Sequence, residues 1–270
     1  MHPDQLRALA IEAAGRAGDH VRDHRPDRVD VVATKSSEVD VVTAMDRAAE
    51  RMIIDHVLAV RPDDGFFGEE GNARSTRSGI TWVIDPIDGT VNYLYGLDGY
   101  AVSVAAVEGE PDPATWTALA GCVYHPAGRL AYHATAGGGA FAGDRPLAGP
   151  TDTGLRGALV ATGFGYIRER RVKQAAVIAA LLGDLRDMRR LGAASLDLCL
   201  VGDGRIDAYY ERGLHPWDHA AGGLIAAEAG AMVTGPDGGR ASEEMLVVAG
   251  ARLHGELLAR LGDLDAFTDA

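Results

Sequence analysis

One short stretch of the chain combines residue types that could bind a metal ion and a phosphate group. An apolar run typical of a β-strand leads to Asp85 and Asp88, with Pro86 between them, and Gly89 and Thr90 follow directly. Pro86 fixes its own φ and favours an extended conformation at Asp85, so we expect the strand to end there and the chain to turn. Both carboxylates would then face one point.

The residues after the two acids could form an anion cradle. Because Gly89 lacks a Cβ, its backbone N–H can lie close to a ligand, and the amide and hydroxyl of Thr90 follow into the same concavity. Oxygen ligands for a hard cation beside such a cradle favour a divalent metal next to a phosphate. Asp, Pro and Gly are also ordinary turn formers, so this stretch alone leaves open a simple turn between strands.

Two further acids stand at the ends or beginnings of predicted elements. Glu69 follows a short apolar strand, and Asp218 stands where a late helix opens. Taken singly, Glu69 fits a solvated charge and Asp218 fits a helix N-cap. If these acids converge with the first two, like-charge repulsion of about 4 kcal/mol per pair at 4 Å near a protein surface requires a cation to hold them together. All-oxygen ligation without His or Cys selects Mg²⁺, Ca²⁺ or Mn²⁺ over zinc.

An earlier helix carries a fifth acid whose role the sequence leaves open. A helix is predicted from Ala44 to Val60, and Thr43 with Asp46 matches the capping pattern of a hydroxyl residue followed three residues later by an acid. A cap is therefore one reading of Asp46, and a part in the chemistry is the other.

Three separate motifs resemble the signatures of the inositol monophosphatase family, in the same order and with similar spacing. They are Phe67-Gly68-Glu69-Glu70, Asp85-Pro86-Ile87-Asp88-Gly89-Thr90-Val91-Asn92-Tyr93 and Trp217-Asp218-His219-Ala220-Ala221-Gly222. Two more segments are similar to the N-terminal and substrate-side regions of the family: Lys35-Ser36-Ser37 with Asp40, Thr43 and Asp46, and Leu191 to Ser195 with Asp207 to Glu211. The likeness spans nearly the whole chain. One departure is Ala193, where many relatives carry a threonine.

The resemblance implies a set of metal ligands and a water-activating pair. It implies two or three Mg²⁺ ions, replaceable by Mn²⁺, and their ligands would be Glu69, Asp85, the Ile87 carbonyl, Asp88 and Asp218. Thr90, paired with Asp46, would orient and activate the attacking water together with Glu69.

The resemblance also implies how substrate is held. The Gly89 and Thr90 amides would bind the phosphate, and Ala194 and Glu211 would contact the alcohol portion. Asp88 and Asp218 would also lie against the substrate. Lys35 would support the acid cluster electrostatically, with an ordinary surface lysine as the alternative.

The predicted function is hydrolysis of a phosphomonoester, inositol 1-phosphate, to inositol and phosphate by metal-activated water. Two metals about 3.5–4 Å apart can stabilise the attacking and leaving oxygens of an in-line displacement. The rival substrates are histidinol phosphate, fructose 1,6-bisphosphate and 3'-phosphoadenosine 5'-phosphate. A rival of another class is a regulatory protein that retains the fold and binds a partner, as some bacterial relatives are thought to engage the transcription machinery. The family further implies lithium inhibition and a homodimer.

Composition limits the partners and the location. The chain has 270 residues and a formal net charge of −13, and Lys occurs only at Lys35 and Lys173. This balance argues against a nucleic-acid groove or an anionic membrane surface as the main partner, because both need clustered positive charge. The sequence has no signal-peptide pattern and no apolar run of membrane-spanning length, so we expect a cytoplasmic protein. Cys122 and Cys199 stand in apolar contexts that predict buried, reduced thiols.

The order of predicted elements gives the architecture that must position these residues. Residues 1–147 read as an α+β half carrying the main metal and phosphate motifs, and residues 148–270 alternate strands and helices as an α/β half carrying the substrate-side residues and the last metal ligand. The resemblance implies that the two halves build a layered αβαβα sandwich of the sugar-phosphatase type.

Overall fold

The computed structural model of the chain describes residues 2–34, 41–151 and 153–268. Lys35, the expected support of the acid cluster, lies outside these residues, as do Ser36, Ser37 and Asp40. The helices of the described residues are α1 (Pro3–Asp23), α2 (Ala44–Val60), α3 (Thr90–Tyr95), α4 (Arg168–Leu181), α5 (Ala194–Gly202), α6 (Pro216–Glu228) and α7 (Ala251–Asp263). The strands are β1 (Val31–Thr34), β2 (Val41–Thr43), β3 (Gly65–Gly68), β4 (Ala73–Arg74), β5 (Ile80–Asp88), β6 (Ala101–Glu108), β7 (Thr117–His125), β8 (Leu130–Thr135), β9 (Gly139–Ala142), β10 (Arg145–Pro146), β11 (Leu159–Thr162), β12 (Asp187–Arg189), β13 (Ala208–Glu211), β14 (Met232–Thr234) and β15 (Leu246–Ala249).

Five layers stack in the order helix, sheet, helix, sheet, helix. Helices α1 and α2 cover one face of an eight-stranded sheet, and α6 packs on its other face, against β6, β7 and β8. Helix α5 lies beside α6 and packs on a five-stranded sheet, whose far face is covered by α4 and α7. The predicted αβαβα sandwich is therefore confirmed.

The eight-stranded sheet has the order β10-β9-β8-β7-β6-β5-β3-β4. Its pairs are antiparallel except β3 with β5, so β3 and β5 end at the same edge. Strand β5 is buried along almost its whole length because helices cover both faces, which explains its continuous apolar start at Trp82 to Ile84. The parallel pair brings Glu69, just after β3, to the edge where β5 ends.

The expectation that β5 ends at Pro86 is wrong. The strand continues to Asp88, and the pairing with β6 shifts register between Asp85 and Asp88 instead. A bulge lets an unpaired proline stay within a strand, because the missing N–H falls outside the ladder. The turn comes later, at Gly89, whose φ is +86°. The bulge re-aims the two aspartates without ending the strand.

Several other boundaries differ from expectation. Helix α6 begins at Pro216, so Asp218 is its third residue and not its N-cap. Asp218 instead reaches back to the backbone N–H of His215, which is the N-cap. The short helix α3 was not predicted, because its start is the polar motif itself. Helix α2 has the predicted bounds, Ala44 to Val60.

The five-stranded sheet supplies the other wall of the site. Its order is β12-β11-β13-β15-β14, with β11 parallel to both neighbours, so β11, β12 and β13 end together. All strands of the eight-stranded sheet come before residue 147, and all strands of the five-stranded sheet come after residue 148. Helix α6 belongs to the second part of the chain but packs on the eight-stranded sheet. The division into two halves stays a prediction.

Two further sequence expectations concern burial and membranes. Cys122 and Cys199 are both buried free thiols, as predicted. Among the described residues, no helix has the length and apolar character needed to cross a membrane.

Candidate active site

A cavity of about 540 Å³ opens where the ends of β5 and β13 face the starts of α5 and α6. One wall of the cavity carries carboxyl groups, and we call it the acidic wall. The opposite wall combines polar and aromatic side chains, and we call it the mixed wall. The acidic wall contains the four carboxyl groups singled out in the sequence: Glu69, Asp85, Asp88 and Asp218.

The carboxyl groups of the acidic wall are close enough to perturb one another. Burial raises the pKa of Asp85 well above its usual range, and the charges of Glu69 and Asp88 raise it further. Burial also raises the pKa of Asp218 well above its usual range, and the charges of Asp88 and Glu69 raise it further. Burial also raises the pKa of Asp88 to about 6, although hydrogen bonds from Ser195 oppose the shift. Without a cation this wall stores like-charge repulsion.

Hydrogen bonds from the scaffold hold three of these carboxyl groups. Asp85 Oδ1 accepts from the Ile87 N–H at 3.1 Å, and Asp218 Oδ2 accepts from the His215 N–H at 2.7 Å. Asp88 is held by the start of α5, because its oxygens accept from the Ala194 N–H at 3.2 Å and from the Ser195 N–H at 2.7 Å. The Ser195 hydroxyl donates to the same carboxylate at 2.5 Å.

The donor set of the acidic wall fits a hard divalent cation. Its groups are carboxyl oxygens only, and their mutual repulsion raises the pKa of Asp85 and Asp218, which a bound cation would reverse. Among the described residues, however, no three His, Cys, Asp or Glu side chains stand in ready ligand geometry for one ion. The chemistry of the wall therefore suits Mg²⁺, while its side chains are not preset around it.

The turn after β5 brings backbone close to several neighbours. A Cβ added at Gly89 would lie 2.9 Å from the Gly99 carbonyl oxygen and 3.0 Å from that of Gly192. The position therefore needs glycine for space as well as for its positive φ. Gly89 caps the N-terminus of α3, and both Gly89 and Thr90 line the cavity, so their amides stand beside the acidic wall.

The Thr90 hydroxyl connects this turn to helix α2. It lies 2.9 Å from the Ile87 carbonyl oxygen and 3.2 Å from Asp46 Oδ1. The other oxygen of Asp46, Oδ2, accepts from the Thr43 N–H at 2.8 Å and completes the capping box of α2. Asp46 is therefore a helix cap and a partner of Thr90 at once, one oxygen serving each. Its side chain is fully buried, and burial raises its pKa to about 6.

A buried glutamate that the sequence reasoning missed supports the turn carrying Glu69. Glu50 on α2 is fully buried; Oε1 accepts from the Glu70 N–H at 3.3 Å, and Oε2 accepts from the Asn72 side-chain amide. A Cβ at Gly68 would lie 1.8 Å from Glu50 Oε1, so the close approach depends on that glycine. The only sequence signal was an acid on the apolar side of an amphipathic helix.

The mixed wall is built around Glu211 at the end of β13. Burial raises the pKa of Glu211 to about 7, against the opposing effects of the Tyr209 hydroxyl and of Arg190. Tyr209 donates its hydroxyl hydrogen bond to Glu211 Oε2. Ala194, the other predicted contact, also lines the cavity. The sequence identified Glu211 and Ala194 but not Tyr209, Ser195 or Arg190, whose relevance depends on which elements meet.

The structure thus places every described site residue of the sequence prediction at or beside one cavity. Glu69, Asp85, Ile87, Asp88, Gly89, Thr90, Ala194, Glu211 and Asp218 line it, and Asp46 lies behind Thr90.

Comparisons with known proteins show the family of the chain. The family model described as "Inositol monophosphatase family" matches residues 2–265. A curated relative from Mycobacterium tuberculosis, named "Inositol-1-monophosphatase SuhB", is 42% identical over 96% of this chain and 94% of its own length. One from Pasteurella multocida, named "Nus factor SuhB", is 37% identical over 94% of each chain.

Solved structures show the same fold. A structure described as "Mycobacterium tuberculosis SuhB" has a TM-score of 0.83 at 40% identity and covers 99% of each chain. Another, described as inositol monophosphate-bound SaIMPase-II, has a TM-score of 0.77 at 26% identity and covers 96% of this chain and 95% of its own. The chain belongs to the inositol monophosphatase family and is a phosphatase.

Proposed function

We propose that the chain hydrolyses inositol 1-phosphate to inositol and phosphate with Mg²⁺ as the cofactor. The observation that carries the proposal is the meeting of four buried or half-buried carboxyl groups beside the Gly89–Thr90 turn. Groups that raise one another's pKa this strongly are costly to keep together unless a cation and an anion occupy the space between them.

Glu69, Asp85, Asp88, Asp218 and the Ile87 carbonyl are the proposed metal ligands, and two or three ions would bind. Bound Mg²⁺ would neutralise the phosphate charge and lower the pKa of water. The carboxylates of these residues would determine the positions of the bound Mg²⁺ ions. The Ile87 carbonyl now accepts the Thr90 hydroxyl, so that hydrogen bond would shift toward Asp46 when the carbonyl is otherwise engaged.

Thr90 and Asp46 are the proposed residues that orient the attacking water, together with Glu69. Since the Thr90 hydroxyl can donate to Asp46 Oδ1, its oxygen keeps lone pairs that accept a hydrogen bond from water. The capping box of α2 holds the Asp46 side chain in place, which keeps its Oδ1 within reach of the Thr90 hydroxyl. The Gly89 and Thr90 amides would hold the phosphate oxygens.

Glu211 and Ala194 are the proposed contacts of the inositol ring, with Asp88 and Asp218 at the junction between ring and phosphate. A buried carboxyl group held by Tyr209 is a suitable acceptor for hydroxyl groups. The name of the inositol monophosphate-bound structure supports this choice of substrate over histidinol phosphate or fructose 1,6-bisphosphate.

A panel of phosphomonoesters tests the proposal. The chain is expected to hydrolyse inositol 1-phosphate faster than histidinol phosphate and fructose 1,6-bisphosphate. Activity should vanish in EDTA, return with Mg²⁺ or Mn²⁺, and fall when Li⁺ is added. Hydrolysis that survives EDTA, or a clear preference for another ester of the panel, would contradict it.

The second candidate function is binding of a regulatory partner. The relatives named "Nus factor SuhB" favour it, because one of them is 37% identical to this chain over nearly its whole length. A pull-down with the full chain and with Asp88→Asn separates the possibilities. A partner that the inactive variant also retains would assign a function independent of catalysis, whereas no specific partner would leave the phosphatase alone.

Two predictions of the family resemblance complete the proposal. We propose that the chain forms a homodimer, which sedimentation analysis can test. We also propose that Lys35 supports the acid cluster, so Lys35→Gln is expected to weaken Mg²⁺ binding more than Lys173→Gln does.

A further inference from the structure

Asp197 is a buried acid that the proposed chemistry does not use. It lies on α5, and only 1% of its surface is exposed. Asp197 is one of the residues that line the cavity, together with Glu211 and Tyr209, and the charge of Glu211 acts on it. The Oδ1 atom of Asp197 is buried and has no hydrogen-bond partner among the described residues.

Several other carboxyl groups around the cavity accept hydrogen bonds or form ion pairs with neighbouring residues. Asp88 accepts three hydrogen bonds, Asp218 and Glu211 accept one each, and Glu243 pairs with His215 at 3.1 Å. Asp197 Oδ1, by contrast, is buried and has no hydrogen-bond partner among the described residues. Burying a carboxyl group without a partner destabilises a fold, and a ligand that supplies donors removes that cost.

The surroundings of Asp197 indicate which ligand chemistry fits. Glu211 and Asp88 add negative charge near it, and the positive charge of Arg190 acts in the opposite direction. Arg190 also lines the cavity, and its guanidinium carbon lies 5.9 Å from the centre of the Phe164 ring. The wall thus offers acceptors on one side and a cationic donor on the other.

Hydroxyl groups match such a wall because each can donate to a carboxylate and accept from a guanidinium. An ammonium group would be attracted by Asp197 and Glu211 but repelled by Arg190. The mixed wall therefore favours an alcohol with several hydroxyl groups over an amino alcohol.

We propose that Asp197 is a further substrate-binding residue that, with Glu211, accepts hydrogen bonds from neighbouring hydroxyl groups of a polyol phosphate. This rests on the proposed phosphatase function and assigns the specificity for the alcohol to a residue beyond those that the family resemblance implies. Asp197 takes no part in bond breaking, so its effect falls on substrate binding.

The test compares Asp197→Asn with wild type on three Mg²⁺-supplemented substrates: inositol 1-phosphate, ethanolamine phosphate and 4-nitrophenyl phosphate. The variant is expected to raise KM for inositol 1-phosphate up to about tenfold more than KM for the aryl ester, as for loss of one hydrogen bond. Asp203→Asn is the matched control. Asp203 caps the other end of α5, pairs with Arg145 at 2.8 Å and does not line the cavity, so its substitution should leave the KM ratio unchanged.

Thermal unfolding of the metal-free variant gives a readout that does not depend on activity. Because Asp197 has no described partner, Asp197→Asn should leave Tm unchanged or raise it. A lower Tm, with KM rising equally for the inositol and aryl esters, would mean that Asp197 is structural and would overturn the proposal.

The remaining outcomes separate this proposal from the function on which it rests. A loss confined to ethanolamine phosphate would overturn the polyol assignment in favour of an amino alcohol. If wild type hydrolyses the esters and Asp197→Asn keeps the same KM ratio, the proposed role of Asp197 is overturned and the phosphatase function is not. Wild type that hydrolyses none of them overturns the proposed function and this proposal with it.

Discussion

The two walls of the cavity are built in different ways. The wall that we propose to bind metal and phosphate takes Asp85, Asp88, Gly89 and Thr90 from one continuous stretch, at the end of β5 and the start of α3. The wall that we propose to contact the alcohol collects Arg190, Asp197 and Glu211 from the segment after β12, helix α5 and the end of β13.

The difference concerns what each wall must do. Binding metal and phosphate requires fixed backbone geometry, which one bulge and one positive-φ glycine provide. Selecting an alcohol requires only that side chains reach the cavity, so each can change without altering the turn. We infer that the first wall determines the reaction and the second determines the substrate. This division can be tested with variants of each wall. Variants of the first wall should lower kcat with every ester, whereas variants of the second should raise KM with one ester.

The largest effect is expected for Asp88→Asn. Replacing a metal ligand should cost more than the loss of an outer-shell partner of a ligand, which costs about 10–100-fold in affinity or activity. We therefore expect Mg²⁺-dependent kcat/KM to fall by more than ~100-fold with every ester, while circular dichroism shows a retained fold. Asp203→Asn is the control, and near-normal turnover by Asp88→Asn would refute the assignment of the first wall.

A loss of about a hundredfold in kcat is expected for Thr90→Val, in the range of general acid–base contributions. Valine keeps the shape and the backbone amide but removes the hydroxyl that reaches Asp46 Oδ1. KM should change little, since the amides still bind phosphate. Thr90→Ser keeps the hydroxyl and should recover most of the activity; a serine variant as slow as the valine one would argue against orientation of water by the hydroxyl.

An intermediate effect is expected for Glu50→Gln, because Glu50 holds the turn that carries Glu69. An amide group at this position presents donors to the Glu70 N–H or the Asn72 amide, which already donate. The Mg²⁺ concentration for half-maximal activity should rise about tenfold, and the free energy of unfolding should fall by about 1–3 kcal/mol. Glu110→Gln, on an exposed loop, is the control. Unchanged Mg²⁺ dependence would restrict Glu50 to a role in stability.

The smallest effect is a pH dependence of stability. Burial raises the pKa of Asp46 and Asp88 to about 6 and that of Glu211 to about 7, from ordinary values near 4. The folded state therefore holds these protons more tightly than the unfolded state. The resulting stability is present below about pH 4 and is lost as pH rises through about 6 to 7.

Thermal unfolding with EDTA and with excess Mg²⁺ measures this dependence. Since Mg²⁺ favours the ionised carboxylates, the gain in Tm on adding Mg²⁺ should grow by a few degrees between about pH 5 and 8. A gain that stays constant or shrinks over this range would contradict the placement of the metal among these acids.

The sequence predicted the first wall far better than the second. Asp85, Asp88, Gly89 and Thr90 are contiguous, so their meeting is a local matter that residue types reveal. The wrong strand end at Pro86 arose because local preference cannot show how the pairing with the neighbouring strand β6 shifts register to accommodate a proline.

Residues of the second wall become neighbours only through tertiary packing. Ser195 contacts Asp88 across 107 positions of sequence, and Asp197 faces the cavity because α5 begins beside β5. A serine and an aspartate near a helix start read as ordinary capping residues in a sequence. Glu50 was hidden for the same reason, since a buried acid on an apolar helix face is explained only by the turn packed against it.

The most direct test of the account is a crystal structure of the chain grown with Mn²⁺ and inorganic phosphate, with the metals located by anomalous scattering. We expect Mn²⁺ within about 2.0–2.6 Å of carboxylate oxygens of Glu69, Asp85, Asp88 and Asp218, with the phosphate against the Gly89 and Thr90 amides. Anomalous peaks elsewhere, with these carboxylates bound to no metal, would contradict the central claim.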